Sequence, residues 1–211
     1  GNLVLPKSSC SACQKITCKL ENYCLRQVFG AFRLKTGLSK KKDRPRHLRL
    51  HVLDDDRKVV IKDVPVSEYP LSLAMARFPP PGILVDRPAD AEFDWKPWFW
   101  ADQNSVEAVR HTHGGAGFQS HEFHPEMFCR MIAKISHAYA VAEIGTLGFA
   151  PMLRDLILFG NDKPYRIVGG DINVGEATEA LHEIQLRWQP HRGTEFLVAT
   201  VRLFAFLGTP V

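Results

Sequence analysis

Between Thr17 and Thr36 apolar residues recur every four positions: Leu20, Cys24, Val28 and Phe32 align, and Leu25 and Phe29 widen the stripe. That spacing predicts an amphipathic helix. Thr17 stands where an N-cap belongs, and Gly37 where a left-handed C-terminal cap belongs. At ~100° per residue, Lys15, Lys19, Asn22, Arg26 and Arg33 project within about 60° of one another, opposite the stripe. Beyond residue 46 the period shortens. His47 to Leu53 and Lys58 to Val66 predict two strands joined at Asp54-Asp55-Asp56. Residues 67 to 92 carry no clear period, and Phe93 to Trp100 is an aromatic segment holding three tryptophans. A Gly- and His-rich stretch, His111 to His124, predicts a loop before the strongest helical pattern. That helix starts with Pro125 and runs to about Glu143, placing Phe128, Met131, Ile135 and Tyr139 on one side. A shorter helix, Pro151 to Phe159, ends at Gly160, and two strands, Ala180–Trp188 and Glu195–Phe206, flank a turn at Pro190–Gly193. Helices and strands in this order predict an α+β fold, with no internal repeat.

Charge divides the chain. Residues 1 to 50 hold twelve Lys or Arg against Glu21 and Asp43, a balance of +10, whereas the remainder carries −6. A basic quarter on an acidic remainder points to a nucleic-acid-facing N-terminal module. The basic hinge over 39–49, with Lys40, Lys41, Lys42 and Arg44, sets the expected domains at 1–46 and 47–211. With 45% hydrophobic and 24% charged residues, long disorder and coiled coil are excluded. No apolar run reaches the ~18 residues of a membrane span, and Gly1 to Lys7 lack a secretory pattern. The expectation is therefore a cytoplasmic protein with no membrane partner. Four of five cysteines (Cys10, Cys13, Cys18 and Cys24) fall in the first 24 residues. In a reducing compartment a close pair serves metal or redox chemistry rather than a structural disulfide.

Cys10-Ser-Ala-Cys13 is the sharpest chemical signal, because two thiolates three apart at a turn can grip one zinc ion. Zinc takes four ligands, and Cys18 and Cys24 complete the set poorly, lying roughly 240° apart on a helix. The pair is half a site, whose other ligands are expected from outside this chain.

Gly1-Asn2-Leu3-Val4-Leu5 followed by Cys10-Ser-Ala-Cys13 resembles the second half of an HNH endonuclease, a ββα-metal nuclease with two Cys-x-x-Cys pairs around a structural Zn2+. A looser likeness to bacterial HNH-type proteins continues through Ile16-Thr17, Phe29-Gly30, Arg33 and Arg44-Pro45. The resemblance covers about residues 1 to 40 and implies a truncated ββα-metal, zinc-knuckle module followed by a mixed α+β domain. It further implies phosphodiester hydrolysis of DNA, with a strand histidine as general base and Mg2+ or a similar divalent ion at the leaving oxygen. Asn2 would orient that base, and Cys10 and Cys13 would be the second zinc pair. The segment bearing the base and the first pair would precede Gly1, so this chain alone is expected to be inactive. Lys15, Lys19, Arg26, Arg33, Lys40, Lys41, Lys42 and Arg44 would contact DNA phosphates without reading sequence. Many family members carry a metal-binding histidine after the second cysteine; here that residue is Gln14, leaving Asn22 or Glu21 as substitutes. That departure supports the alternative, a non-catalytic zinc-knuckle nucleic-acid-binding or scaffold protein. With so small a core, the first 40 residues are expected to unfold on zinc loss.

Other signals are weaker. His111, His113, His121, Glu122 and His124 fall within fourteen residues, but neither a cupin nor a metalloprotease spacing is met, and loop and cap roles are expected. His137 is expected to be a satisfied core residue, and Trp95, Trp98 and Trp100 to pack against the Met127–Glu143 helix. Gly169-Gly170 reads as a turn.

Overall fold

The computed structural model describes residues 10–39, 45–88, 91–92, 94–115, 117–118, 123–160, 163–171 and 175–211. The fold is mixed α+β. Its chain forms two compact, discontinuous units, one from residues 1–21, 76–96 and 124–211, the other from 22–75 and 97–123. Residue 46 lies inside the second.

In the second unit, β1 (His47–Leu53) pairs antiparallel with β2 (Val59–Pro65), from His47 opposite Pro65 to Leu53 opposite Val59. Alternation turns Leu50 and Val52 of β1 and Val64 of β2 into a core with Val109. The strand pair β3 (Ser72–Arg77) and β4 (Lys96–Ala101) forms a separate ribbon. Residues 72–77, expected to be irregular, pair because Leu73, Met75 and Ala76 find burial that a short run between prolines does not advertise. The loop expected from His111 begins later, because residues 111–113 close a helix: α3 (Gln103–His113) is capped by Asp102, whose Oδ2 accepts from the Ser105 backbone N–H at 2.8 Å. The short β5 (Gly117–Phe118) then adds to β1.

The helical run that opens the chain has three parts. First comes α1 (Ser11–Asn22), then a π turn over Tyr23–Val28, then α2 (Gly30–Lys35). Its start is Cys10 rather than Thr17, since Cys13 N–H donates to Cys10 Sγ at 3.4 Å and Gln14 N–H to the Cys10 carbonyl at 2.9 Å. In the π turn, Phe29 N–H reaches back five residues to the Cys24 carbonyl at 2.8 Å. Gly37, with φ at 76°, ends the run as its sequence position anticipated. This segment is well anchored: Leu20, Tyr23, Phe29 and Phe32 are each at most 7% exposed.

The first unit centres on α4 (Pro125–Ile144), which buries Phe128, Cys129, Met131, Ala133, Ser136 and Ala140. Against it, Lys134 bonds Glu21 of α1 at 2.5 Å, and Phe128 meets Phe78 with ring centroids 6.1 Å apart. Arg130 Nη2 donates at 2.8 Å to the Ile157 carbonyl near the end of α5 (Arg154–Phe159), a cation where the helix dipole favours one. The hairpin β6 (His182–His191) and β7 (Thr194–Leu203) turns through Arg192 and Gly193, both at positive φ, as a tight two-residue loop requires. Gly169 packs where an added Cβ would sit 2.3 Å from Pro81 N, and Gly170 N–H bonds the Pro79 carbonyl at 3.0 Å. That turn is thus a close backbone crossing.

Candidate functional site

Cys10 and Cys13 sit together at the first turn of α1, in the first unit. Cys10 is exposed and Cys13 half-buried. The Cys13 backbone N–H, helped by the Cys13 thiol, holds the Cys10 thiol below its ordinary value. Its hydrogen bond to Cys10, followed by partial desolvation and the Cys10 charge, pushes the Cys13 thiol up. Cys10 therefore gives up its proton before Cys13 does, and a soft cation bound by both would displace the second proton. Two thiols at this spacing are a donor pair of the kind zinc takes, and zinc requires four ligands. Among the described residues no group of three or more His, Cys, Asp or Glu is arranged to hold a metal ion.

Cys18 is exposed, whereas Cys24 is fully buried and its thiol is pushed by that burial to about 12. The two lie on different faces, as helical spacing requires. Glu21, a potential replacement for the missing histidine, is committed to Lys134. Gln14 offers only a neutral amide, a weak ligand for Mg2+, which favours carboxylates. Asn2, Lys40, Lys41, Lys42 and Arg44 lie outside the described residues.

Lys15 and Lys19 are exposed one turn apart on α1, about 6 Å along its axis, and share a face. Arg26 is exposed in the π turn of the second unit. Arg33 is half-buried, and its Nη1 donates to the Leu25 carbonyl at 3.0 Å. Its cation therefore caps the π turn, a backbone irregularity that helical spacing did not announce.

Within the second unit, His111 and His113 do not share a face. On α3, His111 and His113 point about 200° apart. His113 Nε2 meets Glu68 Oε2 at 3.0 Å, and the His113 carbonyl accepts from Lys62. His124 stands at the N-cap position of α4 but its side chain makes no capping hydrogen bond, and His121 and Glu122 lie outside the described residues. Trp100 packs edge-on against Phe32 at 6.3 Å within the second unit.

A second concave feature lies wholly in the first unit. It is an apolar cavity of about 310 Å3 between α4, the β6–β7 hairpin and the Gly169 crossing. His137 lines it, and contrary to expectation its buried Nδ1 has no hydrogen-bond partner. Phe149, also in the wall, meets the imidazole edge-on at 5.7 Å, and burial lowers the His137 pKa. Glu195 and Trp188 stand on the hairpin side. Nothing in the sequence singled them out, because their neighbourhood exists only after the hairpin folds onto α4.

Comparison of the chain with protein-family models, curated proteins and solved structures returns no match. No helix among the described residues is long and apolar enough to cross a membrane.

Proposed function

We propose that this chain supplies the second zinc pair and the DNA-gripping helix of a metal-dependent HNH-type endonuclease that works in the bacterial or phage-infected cytoplasm. The observation that carries the reading is the paired thiols of Cys10 and Cys13 at the start of a helix with Lys15 and Lys19 exposed in the next turns. Zinc bound there would fix the helix entry, and Lys15 and Lys19 would meet phosphates from the first unit; Arg26 and the basic residues Lys40, Lys41, Lys42 and Arg44 belong to the second unit and would contact phosphates on their own account. Zinc's role is structural; the Mg2+ ion and general base of hydrolysis would come from residues outside the described set. No catalytic step is assigned to this chain's own side chains.

Cobalt(II) titration of the purified chain tests the metal half. Thiolate-to-cobalt absorbance should appear, vanish in Cys10→Ser and Cys13→Ser, and survive Cys18→Ser. Loss in Cys18→Ser, or no absorbance at all, would overturn the zinc pair. The DNA half is read by duplex binding against salt. Lys15→Gln with Lys19→Gln should flatten the slope of log affinity against log salt by about 0.9 for each phosphate that is no longer neutralised. The chain alone should not nick plasmid with Mg2+ or Mn2+, and EDTA-sensitive nicking would refute the division of labour. Gln14 favours a second reading, a zinc-knuckle protein that binds nucleic acid without cutting. An Asp/Glu-His pair encoded shortly before Gly1 would decide for the nuclease.

A further inference from the structure

The cavity of the first unit has a chemistry independent of the cysteine pair. Opposite residues of the hairpin share a face, so the pairs Leu186 with Ala199 and Trp188 with Leu197 turn the same way. Glu195, opposite Pro190, lies on that face and diagonal to Trp188, placing their Cβ atoms about 7 Å apart. Trp188 is 52% exposed and Met152 46%, so this end of the cavity meets solvent. Deeper walls are apolar: Ile132, Ala133 and Ala140 of α4, with Phe149, Leu153 and Val168.

We propose that this cavity binds a small cationic amphiphile, an ammonium group on an alkyl or aryl body, with the cation between the Glu195 carboxylate and the Trp188 ring. The charge balance selects this class. Among the described residues Glu195 is the one carboxylate lining the cavity, and neither Lys nor Arg of that set lines it to receive an anionic head. Glu195 makes no ion pair among the described residues; at the hairpin tip the Arg192 guanidinium reaches Asp86 instead, Nη2 at 2.7 Å, and His191 Nε2 lies 3.0 Å from the same carboxylate. A carboxylate beside an aromatic face is a recognised cation receptor, the ring quadrupole adding to the charge attraction. Burial favours the uncharged form of His137, so the interior does not repel the cation or attract an anion. At about 310 Å3, roughly ten water volumes, the space suits a body of similar heavy-atom number and lies at the small end of ligand pockets.

The test titrates the full chain with octylammonium, octanoate and octanol below their aggregation limits, read by calorimetry and by Trp fluorescence. Octylammonium should saturate with one site and bind at least tenfold tighter than octanoate, with octanol between them. Glu195→Gln changes an exposed side chain and leaves the fold intact; it should bring octylammonium down to octanol while octanol itself is unchanged. Trp188→Ala should weaken octylammonium severalfold. Absence of saturable binding, octanoate equal to or tighter than octylammonium, or an ammonium preference that survives Glu195→Gln would each overturn the proposal.

Discussion

Removing metal from the cysteine pair should loosen the first turn of α1 and little beyond it. Leu20, Tyr23, Phe29 and Phe32 are between 1% and 7% exposed. At ~1.5–3 kcal/mol of transfer free energy for each large buried side chain, they contribute roughly 6–12 kcal/mol. That is an upper value, since the unfolded chain already hides part of this surface. Zinc at a hundredfold excess over its dissociation constant adds only about 2.7 kcal/mol. Residues 20–35 are therefore held by burial that does not depend on metal, and only the first turn of α1 is expected to respond to its loss, in place of the first 40 residues as a whole. Hydrogen exchange by mass spectrometry, with and without chelator, separates the two pictures. Peptides covering 10–16 should exchange faster on chelation, and in the Cys10→Ser, Cys13→Ser double variant, while peptides within 20–35 keep their protection. Exchange over 20–35 as free as over 10–16 after chelation would refute the reasoning.

Thiol chemistry and one arginine supply the remaining predictions. In the metal-free native chain, iodoacetamide should modify Cys10 ahead of Cys13 as pH rises, because the Cys10 pKa is lowered and the Cys13 pKa raised. Cys24 and Cys129 should react only after denaturation, since burial excludes reagent and raises both thiols; labelling of either in the native state, followed by peptide mapping, would contradict their placement. Arg33→Met should lower stability by about 1–2 kcal/mol, the worth of a charged donor on the Leu25 carbonyl with part lost to solvent, and leave the salt slope of DNA binding unchanged. Denaturant melts and binding at several salt concentrations check both halves, and a changed slope at unchanged stability would return Arg33 to the DNA face.

Periodicity alone located the elements whose burial is set within their own segment. The β1–β2 hairpin, α4 from Pro125 and the β6–β7 hairpin were all legible, because each carries its apolar face and its turn residues together. The cysteine pair was legible for the same reason, its spacing being local. Helix α3 was not, since its apolar contribution to the core is small and its signature is one Asp102 cap amid polar residues. Nor could periodicity show the π turn, which shifts every side chain after residue 23 from the 100° count and turns Arg33 back onto the backbone. Tertiary structure alone decided the two discontinuous units and the cavity, whose walls come from segments as distant as Pro81, His137, Gly169 and Glu195. The physical reason is range: local hydrogen bonding and amphipathicity specify an element, but a cavity is specified by which faces meet, and no segment carries that information by itself.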